Sequence, residues 1–143
     1  MEFPIKTIAT AEAETAKLAI QFAKIIKPGD VISLVGDLGT GKTFFVKNVA
    51  SEFECIDVNS PTFAIVNVYS GTLKVNHFDF YRIKKIEELY DLGFEDYIMD
   101  RDSITFIEWS DMYHDILPTS RYEVRIKFLS ESKREFNIIK FGK

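Results

Sequence analysis

The octapeptide Gly36-Asp37-Leu38-Gly39-Thr40-Gly41-Lys42-Thr43 satisfies the pattern G-x-x-x-x-G-K-[ST] at every fixed position, which is the signature of a P-loop. An apolar run of strand length, Asp30 to Val35, precedes it, and Phe44 to Ala50 can continue as a helix. The motif therefore sits between a strand and a helix, as its chemistry requires. Glycines at 36, 39 and 41 let successive backbone N–H groups turn inward around phosphate oxygens, and the helix that starts near Lys42 adds its positive dipole end. Asp37, Leu38, Gly39, Thr40 and Gly41 line this nest. Lys42 is expected to reach the outer phosphates, with the Thr43 hydroxyl as one ligand of a magnesium ion.

With 143 residues, the chain is expected to form a single domain over residues 1–143, since this length buries a sizeable core. Thirteen phenylalanines supply that core. The net charge of −4 and a pI near 5.2 argue against binding nucleic acid by bulk electrostatics. Any role for RNA is expected to run through a partner. Cys55 is the one cysteine, with no activating base beside it in sequence, and reads as a packed thiol in a reducing compartment. The N-terminal stretch lacks the order of a signal peptide and no apolar run reaches membrane-spanning length. The expectation is a soluble, cytoplasmic protein that does not enter a membrane.

Working outward, residues 3 to 9 suit an edge strand, with Pro4 tolerable near its start. Thr10 is placed to cap a helix that carries Glu12 and Glu14 in its first turn and repeats Leu18, Ala19, Phe22, Ile25 and Ile26 on one face, running to about Lys27. Pro28-Gly29-Asp30 ends it. After the P-loop helix, which reaches Glu52 or Phe53, a polar segment Asn59-Ser60-Pro61-Thr62-Phe63 offers Thr62 as a switch-type hydroxyl or an ordinary loop cap. Two alternating runs around Ser70-Gly71-Thr72 read as a hairpin, with Leu73, Val75, His77 and Asp79 on one face. Asp79, at its end, is a candidate general base, water-positioning group or outer-shell magnesium ligand, and Arg82 a candidate partner for carboxylate or phosphate.

Residues 84 to 92 carry a helical pattern, with Ile86, Leu89 and Tyr90 on one side and Gly93 as a stop. The run from Ile104 to Trp109 is an apolar strand that ends abruptly at Glu108, the form of a Walker B element that delivers a carboxylate to the metal side of a triphosphate. Glu108 is thus the acidic partner of Thr43, directly or through water. Trp109 beside it packs over the site, onto a partner or into the core. His114 has no second ligand at metal spacing and receives no role. Residues 121 to 128 alternate as a half-exposed strand, and Arg134 to Phe141 make a last one. Together these elements predict a three-layer α/β domain of P-loop NTPase type with a mixed, partly antiparallel central sheet, binding its nucleotide outside the carboxyl ends of the core strands. No Asn-Lys-x-Asp element for guanine is present, so ATP is the expected nucleotide.

The P-loop, then Ser60-Pro61-Thr62-Phe63, then His77-Phe78-Asp79-Phe80-Tyr81-Arg82, then Glu108-Trp109, in that order and spacing, resemble the TsaE family (formerly YjeE) over nearly the whole chain. The resemblance implies a small bacterial ATPase needed to form threonylcarbamoyladenosine at adenosine 37 of tRNAs that read A-starting codons. It implies partners TsaB and TsaD, with TsaD as transferase and TsaC supplying the activated threonylcarbamoyl group. ATP hydrolysis then serves repeated turnover, and tRNA is met only through the complex. Carried onto matching positions, it puts Lys42, Thr62, Asp79 and Glu108 at the chemistry, Thr43 and Glu108 on magnesium, and Trp109 and Thr10 near the nucleotide. Where the family commonly has a Gly-Arg pair, this chain has Ser132-Lys133-Arg134, which leaves a C-terminal base contact unsupported. A small-molecule kinase is the alternative enzyme, though the chain has only five scattered arginines and no evident lid. A nucleotide-gated binding module is the non-enzymatic alternative.

Overall fold

A computed structural model describes residues 2–37, 39–56 and 65–142. Its centre is a seven-stranded sheet in the order β1-β7-β6-β2-β5-β4-β3. The strands are β1 (Ile5–Ala9), β2 (Val31–Val35), β3 (Val66–Tyr69), β4 (Lys74–Asp79), β5 (Ser103–Glu108), β6 (Arg121–Phe128) and β7 (Arg134–Phe141). β6, β2, β5 and β4 pair in parallel, while β3 on β4, β7 on β6 and β1 on β7 are antiparallel. The mixed sheet expected from the sequence is therefore the one observed.

Parallel strands need cover on both faces, and each face has its own core. On one, α1 (Glu12–Ala23) and α2 (Lys42–Ser51) pack together over Ile32, Leu34, Val75, Ile104 and Phe106. Phe22, wholly buried, meets Phe45 at 5.9 Å and the edge of Tyr122 at 5.3 Å. On the other, α3 (Glu87–Leu92), α4 (Phe94–Met99) and the 3₁₀ segment Ser110–Ile116 cover Val31, Phe78 and Ile107. Phe94 and Tyr97 set their rings edge-on to Phe78 at 5.1 and 5.2 Å. Among the described residues no helix is long and apolar enough to cross a membrane.

Several local expectations need correction. Thr10 does not cap α1. The N-cap is Ala11, with no side-chain hydrogen bond, and Thr10 instead donates from its hydroxyl (2.7 Å) and backbone N–H to the Glu14 carboxylate. The first helix ends at Ala23 rather than near Lys27, because a proline at 28 disfavours helical backbone at the residue before it. Ile26 still packs in the core. α3 starts at Glu87, and its Tyr90 is exposed, unlike Leu89.

α4 carries only six residues between Gly93 and Asp100, too few for its period to register. Gly93, at φ 75°, closes α3 and opens α4. β6 is not half exposed, since β2 and β7 flank it and Arg121 and Glu123 are buried. Arg121 donates to the Pro118 carbonyl at 3.1 Å and pairs with Glu123 at 3.3 Å, while Arg125 reaches Glu123 at 2.7 Å and Ser33 donates to it at 3.2 Å. Glu123 is thus paired with both arginines and Ser33, which is what lets its charge sit inside a sheet, while the Arg121 Nε stays without a partner among the described residues. Cys55 is buried, and that burial pushes its thiol pKa up, in keeping with a packed thiol.

The turn between β3 and β4 leans directly on the end of α2. Thr72 donates from its backbone N–H to the Phe53 carbonyl at 2.7 Å and from its hydroxyl at 3.0 Å. A Cβ at Gly71 would fall 2.1 Å from that same oxygen and 2.8 Å from the Cys55 backbone nitrogen. Backbone cannot yield as a side-chain tip does. Gly71→Ala is therefore expected to lower stability by ~1–3 kcal/mol, read as a drop in denaturation midpoint with the slope unchanged. Wild-type stability in that variant would show that the turn does not lean on α2.

Candidate active site

The loop from Gly36 to Gly41 leaves β2 at its carboxyl end and delivers the chain to the start of α2. Gly39 and Gly41 hold φ of 78° and 99°, values that suit glycine. Gly41 is the N-cap residue, and no side chain caps that end among the described residues. Its first N–H groups therefore face the loop's concavity. Thr40 donates from its hydroxyl to the Asp37 carbonyl at 2.8 Å and stiffens the turn. Leu38 lies outside the described residues, as does Thr62 with its whole segment, 57 to 64.

Two carboxylates reach this loop from neighbouring strands. Asp79 and Glu108 are the last residues of β4 and β5 and lie opposite each other in register, while Glu108 lies opposite Leu34 on β2. Strand alternation turns both to the face that carries α2. Thr43 donates from its hydroxyl to Glu108 Oε2 at 3.1 Å. The structure thus brings together the threonine and the carboxylate that the sequence pairs. The Asp79 carboxylate accepts the Tyr81 N–H at 3.1 Å and sits 3.5 Å from the Arg82 guanidinium. It is buried, so this is not a solvent-exposed strand-end pair.

Lys42 donates to the Gly36 carbonyl and, at 2.9 Å, to that of Asp37, and its ammonium lies 4.2 Å from the centre of the Trp109 ring. Trp109 also meets Tyr81 at 5.0 Å. The tryptophan therefore closes over the site. Burial pushes the Lys42 amine pKa down, against the opposing pull of Glu108, Asp37, Asp111 and Asp79. Burial pushes the Asp79 carboxyl up, helped by the Glu108 charge and opposed by the Tyr81 N–H, Arg82 and His77.

A cavity of about 390 Å³ opens here, walled by Lys42, Thr43, Asp79, Arg82, Glu108 and Trp109. A second, of about 430 Å³, adjoins it across Gly41 and Phe44 and is lined by Thr10, Thr15, Thr40 and Arg134. Thr10 thus shares a cavity with Thr40 and Gly41 of the P-loop. Arg134, for which the sequence supports no base contact for want of a Gly-Arg pair, donates to the Thr40 carbonyl at 3.2 Å and stacks 4.7 Å over Phe128. His77 was also passed over. It is wholly buried, with Nε2 against Glu108 Oε2 and Nδ1 3.0 Å from the Tyr69 hydroxyl. A third cavity of about 380 Å³, beside Lys27, Arg101 and Lys140, lies at the opposite end of the sheet and carries none of these groups.

The residues at 9–136 match the family model described as threonylcarbamoyl adenosine biosynthesis protein TsaE. The chain belongs to the TsaE family. It is 40% identical over 136 residues to the tRNA threonylcarbamoyladenosine biosynthesis protein TsaE of Rickettsia bellii, a match that covers 93% of each chain. To the Bacillus subtilis protein of the same name it is 37% identical over 131 residues, covering 90% of this chain and 81% of that one. The crystal structure of Bacillus subtilis YdiB superposes with a TM-score of 0.78 at 30% identity, covering 99% of this chain and 88% of the other. In this TsaE chain the P-loop, Asp79, Glu108 and Trp109 form one constellation at the carboxyl edge of the parallel strands.

The residues present fit a magnesium nucleotide. The glycine turn and uncapped helix end suit phosphate, and a threonine hydroxyl 3.1 Å from a carboxylate is a hard oxygen pair of the kind Mg²⁺ takes alongside phosphate and water. Among the described residues no cluster of three or more His, Cys, Asp or Glu forms a cage of its own.

Asp79 has a consequence for stability that can be signed. Its pKa is raised in the folded chain, so folding is unpenalised below the ordinary Asp value and loses stability as pH rises through the raised one. Asp79→Asn keeps an acceptor for the Tyr81 N–H and removes the buried charge. The lost pair with the exposed Arg82 costs little. The variant is expected to melt above wild type at neutral pH by about 3–5 °C, equivalent to roughly 1 kcal/mol, with the gain shrinking as the pH falls toward 4. Calorimetry across pH checks it, and an equal or lower melting temperature at neutral pH would mean that Asp79 is not held at a cost.

Proposed function

We propose that this chain is the Mg²⁺-dependent ATPase subunit of tRNA threonylcarbamoyladenosine formation. On this reading it acts in the cytoplasm with TsaB and TsaD, permits their repeated turnover on adenosine 37 of tRNAs that read A-starting codons, and does not itself transfer the threonylcarbamoyl group. The observation that carries the ATPase reading is the Thr43–Glu108 hydrogen bond of 3.1 Å at the mouth of an uncapped P-loop helix. The pathway assignment is supported by the names of relatives that match nearly end to end. With a net charge of −4, the chain meets tRNA through its partners rather than directly.

The residues divide the chemistry by position. Backbone N–H groups of Gly39 to Thr43 hold the β- and γ-phosphates, and Lys42 leaves the Gly36 and Asp37 carbonyls to offset charge on the departing diphosphate. Thr43 and Glu108 would hold a Mg²⁺ ion, which would supply charge neutralisation at the phosphates. Glu108 is committed to Thr43 and His77. Asp79 is the group that faces the attacking water, its carboxyl held above the ordinary Asp range by burial. Thr10 and Arg134 flank the neighbouring cavity, which takes the nucleoside. Thr62, ahead of β3, is the switch hydroxyl that partners reorder.

Among the described residues the arginine that lines the cavity at Lys42, Arg82, is engaged with Asp79. Hydrolysis by the chain alone is therefore expected to be slow and to rise when TsaB–TsaD saturates it. Glu108→Ala is expected to lower the partner-stimulated rate by on the order of 10²-fold, measured as phosphate release. Strong partner-independent hydrolysis would replace this reading with a stand-alone ATPase. Nucleotide binding without hydrolysis in any mixture would replace it with a nucleotide-gated binding module, and transfer of labelled γ-phosphate to an acceptor with a kinase.

A further inference from the structure

We infer that His77 is a positioning residue for the metal-side carboxylate, holding Glu108 in the one orientation that meets both Thr43 and a bound divalent cation. The inference rests on the magnesium-nucleotide reading above and adds a residue to it.

His77 lies on β4, opposite Phe106 of β5 and one strand pair from Glu108. Its neighbours on the same face are Val75 and Phe106, both fully buried and apolar. An imidazole at this depth keeps its place only if both ring nitrogens are satisfied, and both are. A carboxylate can only accept, so Nε2 carries a hydrogen and donates to Glu108 Oε2. With its hydrogen on Nε2, the ring can accept at Nδ1, 3.0 Å from a Tyr69 hydroxyl that can donate. The donors run one way, from Tyr69 on β3 through His77 to Glu108. Tyr69 fixes the tautomer and the ring's tilt, and the ring fixes the carboxylate, as outer partners fix metal-binding groups elsewhere.

The two Glu108 oxygens are thereby given different work. Oε2 accepts from both His77 and Thr43. Among the described residues Oε1 accepts no hydrogen bond, although Glu108 is only 4% exposed. That oxygen is the one left for a cation or its water. Without the His77 donor the carboxylate can turn about its terminal bond, and Thr43 alone holds it. The cation site then has to be organised at each binding event.

The test uses the full chain and the fluorescence of Trp109, the one tryptophan, whose ring lies 4.2 Å from the P-loop lysine. ADP and ATP are titrated into wild type, His77→Phe, His77→Gln and Tyr69→Phe, in EDTA and at graded Mg²⁺, with thermal melts run beside them. His77→Phe is expected to raise the Mg²⁺ needed for half-maximal tightening about tenfold or more, leaving metal-free nucleotide affinity within about twofold. His77→Gln, whose amide can donate to Glu108, recovers most of that loss, and Tyr69→Phe shows an intermediate rise of about threefold. A general packing defect would instead weaken metal-free binding too and would not be rescued by glutamine.

A Mg²⁺ requirement in His77→Phe within about twofold of wild type overturns the inference while leaving the site reading intact. If His77→Phe does not fold, Tyr69→Phe decides, since it removes one oxygen, and an unchanged requirement there overturns it. Wild type whose nucleotide affinity ignores Mg²⁺ overturns the inference together with the reading on which it stands.

Discussion

The site depends on the register of three parallel strands. β2 sets Leu34 opposite Glu108 of β5, and β4 sets Asp79 opposite the same glutamate. The P-loop leaves β2 one residue beyond that level, at Val35. Lysine, hydroxyl and two carboxylates therefore converge at one edge without any long loop to hold them. Side chains alternate with a period of two, so a slip of one residue in β4 would turn Asp79 and His77 to the opposite face. The buried Val75, Phe78, Ile104, Phe106 and Ile107 make such a slip costly. The hydrophobic pattern that builds the two cores thus also sets the geometry of the site.

Buried charge is handled differently on the two faces, and the contrast separates structure from chemistry. Glu123 lies between Arg121 and Arg125 and also accepts from Ser33. Its oxygens are used up within the protein, on the sheet face opposite the one that carries α2. Asp79 and Glu108 face each other across β4 and β5 with one half-exposed arginine and the Lys42 ammonium nearby. Burial, and then the Glu108 charge beside it, make the Asp79 carboxyl harder to ionise. An arrangement that leaves the two carboxylates incompletely matched is expected where a cation and phosphate are to complete the balance.

Much of this was legible in the chain. The P-loop and the apolar run that stops at Glu108 pointed to the strand edge where Thr43 and Glu108 meet, since each combines a period with a fixed chemical punctuation mark. The hairpin around Gly71 and the strand pair at the end were legible from alternation alone. What could not be read was whatever depends on neighbours. β6 alternates as a surface strand does, but its place between β2 and β7 buries Arg121 and Glu123, and only the pairing order reveals it. α4 is too short to show a period. Arg134 lacks the expected glycine beside it, yet its guanidinium reaches the P-loop through a contact 94 residues distant. His77 looked like one polar residue in an aromatic cluster. Its meaning lies in Glu108 across the strand pair, and a buried histidine two residues before an acid at a strand end was the available signal.

Trp109 shows how a strand end becomes part of the site. It is one of two described non-glycine residues with positive φ, at 59°, a conformation that costs a tryptophan on the order of 1 kcal/mol or more. That turn stops β5 directly after Glu108 and starts the 3₁₀ segment from Ser110. It also brings the indole back over the Lys42 ammonium and against Tyr81. A strand continuing in extended conformation would carry residue 109 to the opposite face, as alternation requires. The left-handed residue breaks that alternation, so two consecutive side chains, Glu108 and Trp109, both serve one cavity. Strain is held here by packing on both sides. It places an aromatic wall against the P-loop lysine, where the cation–π attraction offsets part of its desolvation.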